Sequence, residues 1–163
     1  MKSLLLFFTA SLLLGMISCS PQYGKKVAEE QRSIEKIISV PDTDKDDLYI
    51  KANSWAVDAF TSAKSVIQFQ DKEAGKILGK YVFNYNQGVY THAVKQTLDI
   101  SIKDSKVRVI ISDPLFKTVS SMGDPVYNDY RPLNTEKGIQ KARAEWVALI
   151  GSLEDALKED SDW

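Results

Sequence analysis

Hydrophobic and polar residues alternate most cleanly between Val94 and Lys103, where Val94, Leu98, Ile100 and Ile102 face one way and Lys95, Thr97, Asp99, Ser101 and Lys103 the other. A period of two with one apolar and one wet face predicts a strand of an antiparallel sheet. The same period runs through Ile77, Gly79, Tyr81, Phe83 and Tyr85, is broken by Asn86-Gln87-Gly88, and returns in Val107, Val109 and Ile111. Asp104-Ser105 separates the last two strands by the two residues that favour a tight hairpin. Ile67 and Phe69 are expected to share one face of a shorter strand, with Asp71 to Gly75 as its turn.

The period is helical on either side of these strands. Leu48, Ala52, Trp55 and Ala59 recur as one stripe, with Phe60 beside it, behind a capping-box-like Thr43 and Asp46. The acids Asp44, Asp46 and Asp47 suit the positive end of a helix dipole. A second helix is expected from Asn134 or Thr135, presenting Ile139, Ala142, Trp146, Leu149, Ile150, Leu153 and Leu157 on one side. Ser33 to Val40 predicts a first strand, and the proline-bearing stretch from Pro114 to Asn134 predicts a long loop. The pattern is that of an α+β domain with its helices packed on one face of the sheet.

The first eighteen residues follow a different logic. Lys2 is a minimal positive region, Leu4 to Leu14 an apolar one, and Met16-Ile17-Ser18 leads to Cys19, the single cysteine of the chain. Eleven residues cannot span a bilayer, which takes about 20, so residues 1–18 are expected to be a cleaved signal peptide. The residues before Cys19 resemble the lipobox of bacterial lipoproteins, which makes Cys19 the expected site of lipid attachment. Ser20 and the absence of an acidic cluster after it point to the outer membrane, facing the periplasm. Residues 19–32 are polar and charged, as expected of a flexible tether, and residues 33–160 are left for a single domain.

Composition narrows the chemistry. Of 163 residues 26% are charged, with 21 basic against 22 acidic side chains, so the basic stripe that binding a phosphate backbone requires is not expected, nor is nucleic acid as a partner. Once Cys19 carries lipid, no thiol is left for a disulfide or a nucleophile.

The run from Trp55 to Lys80, containing Ser62-Ala63-Lys64-Ser65-Val66-Ile67-Gln68 and Asp71-Lys72-Glu73-Ala74-Gly75-Lys76-Ile77, resembles the bacterial domain of unknown function 4468. The likeness extends through Lys103-Asp104-Ser105-Lys106-Val107-Arg108 to the helix around Trp146, over residues 34–158, although hairpins of this kind usually carry Gly or Asn in place of Ser105. The resemblance implies a fold like that of the TATA-box-binding protein, in the order strand, helix, four antiparallel strands, helix. It implies no catalytic residue.

The remaining candidates are weak. Asp42-Thr43-Asp44-Lys45-Asp46-Asp47 opens like a calcium loop, but its sixth position is Asp47 where Gly is needed and its twelfth is Asn53 where Glu is needed. His92 is the only imidazole, with no Ser or Asp placed beside it by a known pattern. The acid pairs Glu154-Asp155 and Glu159-Asp160 lie near a helix end, where a solvated face accounts for them better than glycosidase chemistry. No metal and no cofactor is expected. If Ile77, Tyr81 and Phe83 face the helices, then Leu78 and Val82, with Val66 and Ile110 on neighbouring strands, form an outward apolar patch, the expected contact surface for a partner. The sequence thus points to a non-enzymatic, lipid-anchored binding module whose partner is an envelope protein or a second copy of the chain. A carrier of a small apolar ligand, and a hydrolase of envelope polymers, are the alternatives.

Overall fold

The computed structural model describes residues 26–60, 65–120 and 129–159. Strand β1 (Ile34–Ser39) leads into helix α1 (Lys45–Ala59), followed by β2 (Val66–Asp71), β3 (Lys76–Gln87), β4 (Tyr90–Lys103), β5 (Lys106–Ser120), a two-residue β6 (Arg131–Pro132) and helix α2 (Glu136–Lys158). The strands form one antiparallel sheet in the order β1-β5-β4-β3-β2, with β6 paired to β5. Both helices lie on the same side, where Ile77, Leu98, Ile100, Val107, Val109 and Ile111 of the sheet meet Leu48, Ala52, Trp146, Leu153 and Leu157. The α2 stripe is buried as its spacing predicts.

Local chemistry fixes the ends of these elements. α1 is capped by Asp44, one residue later than expected, whose carboxylate accepts from the Asp47 amide at 2.9 Å. The β4–β5 hairpin tip docks against this helix start. Lys45 N donates to Asp104 Oδ1, Ser105 N to the Thr43 carbonyl, and Val40 N to the Ser105 carbonyl, each at 2.9 Å. Ser105 takes φ +60°, while Asp104 stays out of the left-handed region, so this is not the turn in which both central residues are left-handed. Gly75 closes the β2–β3 turn at φ +62°, and a Cβ there would lie 2.4 Å from the Ile102 carbonyl oxygen.

Four expectations need correction. Ile67 pairs with Gly79 but Phe69 with Leu78, because a bulge at Gln68 shifts the register. The two side chains therefore lie on opposite faces, and Phe69 is exposed. Strand β5 does not stop at Pro114. Asp113 and Pro114 together oppose the single residue Gln96, a bulge in which Asp113 adopts φ +52°, and pairing with β4 resumes at Leu115. A bulge tolerates proline because the ladder needs no amide there. The expected loop shortens accordingly, and β6 returns to pair with Leu115 and Phe116. Finally, residues 26–32 are not a free spacer: Lys26 bridges to Thr135, Val27 N donates to the Asn134 carbonyl at 2.8 Å, and Glu29–Arg32 form a 3₁₀ turn. The Arg143 guanidinium holds the Gln31 carbonyl at 2.7 Å.

The two outer strands of the sheet differ in how they end it. β1 directs Lys36 to the helix side, where it bonds Glu154 of α2, and β2 carries the bulge at Gln68.

Candidate functional site

The sheet face away from the helices is the surface on which the chain's unassigned residues gather, and strand register fixes its rows. At the β4–β5 hairpin end, Ser39, Lys106 and Lys103 lie side by side. The next row is Ile37, Arg108, Ser101 and Lys76; the next is Glu35, Ile110, Asp99, Leu78 and Phe69; and then come Ser112, Thr97, Lys80 and Val66. Lys76 bonds Asp99 and Ser101, and Lys80 bonds Thr97, so the centre of the face is a polar ladder. Farther along, the Tyr130 ring lies 4.2 Å from Lys95 Nζ and 5.2 Å from Lys117 Nζ, stacked under two cations.

All four residues of the expected patch point to this face, yet they do not form one patch. Val82 is only 7% exposed, with its amide bound to the buried Ser65 hydroxyl at 3.0 Å. Leu78 and Ile110 flank Asp99 on β4, two strand spacings or about 10 Å apart. What remains continuous is a corner at β2: Val66, 54% exposed, and Phe69, 50% exposed, beside the partly buried Leu78. Phe69 was missed because the bulge that turns it outward leaves no mark in the hydrophobic pattern.

Residues 35–117 match the family model described as a domain of unknown function (DUF4468) with TBP-like fold. The chain belongs to this family. Solved structures agree on the fold of this DUF4468 domain. A TBP-like protein from Parabacteroides distasonis superposes with a TM-score of 0.57 at 10% identity, covering 76% of this chain and 92% of that one. A DUF4468 family protein from Bacteroides ovatus gives 0.56 at 12% identity, covering 87% and 96%. No curated protein matches the chain. The family and its fold are those that the sequence resemblance implied.

Elsewhere in this DUF4468 domain, ionisable groups serve structure. His92 lies on the helix side, stacked on Tyr85 with ring centres 4.9 Å apart, its Nδ1 2.9 Å from the Thr118 hydroxyl. Burial lowers its pKa, which keeps the imidazole neutral. Glu154 is held by Lys158 and Lys36, whose hydrogen bonds bring its pKa down to about 2, opposite to the shift a general acid needs. The Tyr81 hydroxyl donates to Glu145 Oε1 at 3.0 Å, and burial with this acid pushes it up to about 12. The calcium-like acids divide their roles, Asp44 as cap and Asp46 in an ion pair with Lys72 at 3.0 Å. Among the described residues no group of three or more His, Cys, Asp or Glu side chains is placed to hold a metal. A cleft of about 460 Å³ between the 3₁₀ turn and β5 is lined by Glu29, Glu30, Arg32, Ser33, Ser112 and Asp113. Cys19, the expected lipid site, and Asp160 lie outside the described residues.

Proposed function

We propose that this DUF4468 protein is a lipid-anchored envelope protein that works by binding and not by catalysis. It is attached through Cys19 to the outer membrane and faces the periplasm. The observation that carries the binding role is the asymmetry of the sheet: both helices cover one face, while the other leaves Phe69 and Val66 half exposed next to Leu78. Such large apolar side chains grouped and half exposed on the face away from the helices suit a protein partner. The signal-like residues 1–18 and the residues before Cys19 support the anchor, and among the described residues no helix is long and apolar enough to cross a membrane. Non-enzymatic action is supported by Glu154, Glu145 and His92, which are tied into structural contacts. The space between sheet and helices is occupied by Trp146, Leu98, Ile100 and Leu153, which favours a surface contact over an enclosed ligand.

Crosslinking in intact envelopes, with partners identified by mass spectrometry, tests this reading. The wild-type chain should give a defined partner, either another envelope protein or a second copy, and Phe69→Asp should remove it without lowering the amount of folded protein. An unchanged crosslink pattern would discard the β2 corner. Cys19→Ala should abolish palmitate labelling; label that persists would refute the anchor.

A further inference from the structure

We propose that the opposite corner of the same face, at the β4–β5 hairpin, rests on anionic phospholipid headgroups. Lys103 and Lys106 are direct cross-strand partners, and Arg108 lies one row farther in. Like charges placed opposite one another destabilise a sheet, and no neighbouring acid relieves these: among the described residues none of the three side chains has an ion pair or a hydrogen bond. Three acids at this end are committed on the helix side, Asp104 to the Lys45 amide, Asp44 to the Asp47 amide and Asp46 to Lys72. The whole chain carries a net charge of −1, so these cations are a local concentration and not the edge of a basic molecule. Beside Arg108 stands Ile37, 61% exposed. Cations beside an exposed aliphatic side chain complement the interface of an anionic bilayer, where the cations meet phosphate and the aliphatic enters the headgroup boundary.

Chain length selects a membrane over a soluble acidic partner, a step that rests on anchorage at Cys19. Six residues lie between Cys19 and Lys26, the first described position, and the seven steps of chain from one to the other reach about 25 Å at full extension. The 14-residue strand β4 alone is longer, at about 46 Å. A domain held on so short a leash stays against the headgroups, and β1 spans only six residues between the entry side of the sheet and the cationic corner.

The test uses the mature chain from Ser20, which retains every core residue from Val27 to Leu157 and lacks Cys19. It should sediment with phosphatidylcholine vesicles containing one-third phosphatidylglycerol, not with phosphatidylcholine alone, and binding should fall steeply as salt is raised. Each cation removed should weaken partition about fivefold. The triple variant Lys103→Glu/Lys106→Glu/Arg108→Glu should therefore lose more than about a hundredfold, whereas Lys137→Glu/Lys141→Glu on α2 should bind as wild type, all with unchanged circular dichroism. Equal binding to neutral and anionic vesicles, or retention by the triple variant, would overturn the proposal. So would displacement from vesicles by polyglutamate at matched charge, which would assign the corner to an acidic protein. Because Cys19 is absent from this chain, a negative result leaves the anchor standing. Conversely, palmitate label that persists in Cys19→Ala, with vesicle binding intact, removes only the anchor.

Discussion

Trp146 and Gln96 illustrate how one buried polar contact is fixed by a backbone irregularity. The indole is fully buried in α2, and its single donor finds the Gln96 side-chain oxygen at the point where β4 faces the β5 bulge. Among the described residues the Gln96 Nε2 group has no partner. Removing only the glutamine should hurt most, because it strands the indole N–H: Gln96→Met is expected to cost about 1–3 kcal/mol. Adding Trp146→Phe removes the stranded donor, so the double variant should lose less than the sum of the two single changes. Urea denaturation of the four proteins measures this, and strict additivity would mean that the bond contributes nothing.

At the level of elements, the hairpin between β4 and β5 is built around α1 as much as around its own turn. Asp104 is required because its carboxylate holds the Lys45 amide, whereas Ser105 contributes only backbone groups to the dock among the contacts described and sits at φ +60°. Replacing it with a residue free at that angle should help: Ser105→Gly is expected to raise stability by about 0.5 kcal/mol and Ser105→Val to lower it by about 1 kcal/mol or more. A denaturation midpoint that moves the other way for glycine would show that the serine side chain matters. What the sequence revealed follows the same division. β3, β4 and the α2 stripe were legible because their burial repeats with the period of their own backbone. The outward turn of Phe69, the passage of β5 beyond Pro114 and the docking of residues 26–32 were not, since each depends on a bulge or on contact with a distant segment. The candidate face was legible as a face but not as a surface. Register places Asp99 between Leu78 and Ile110, and only tertiary packing buries Val82.

For the whole molecule, Glu154 ties the sheet to the helix layer by accepting from Lys36 of β1 and Lys158 of α2. Its carboxyl titrates near 4.5 when free and at about 2 in the fold. The unfolded chain therefore takes up this proton first, and stability present above pH 4.5 is lost as pH falls toward 2. Thermal midpoints measured from pH 6 to pH 2 should decline over that window in the wild type and less steeply in Glu154→Gln. Because the group is only partly buried, added salt should shrink the difference. Parallel curves for the two proteins would show that the lysines do not hold the carboxylate in solution.

The two sheet borders bear on how such molecules coexist. If the chain is anchored as proposed, copies would be crowded into two dimensions, where unsatisfied ladder groups on one copy meet those on the next far more often than in bulk. The inward lysine of β1 and the interrupted register of β2 deny a neighbour the straight template that edge-to-edge growth demands. Dense packing on a surface would then leave these proteins as separate units instead of drawing them into ribbons.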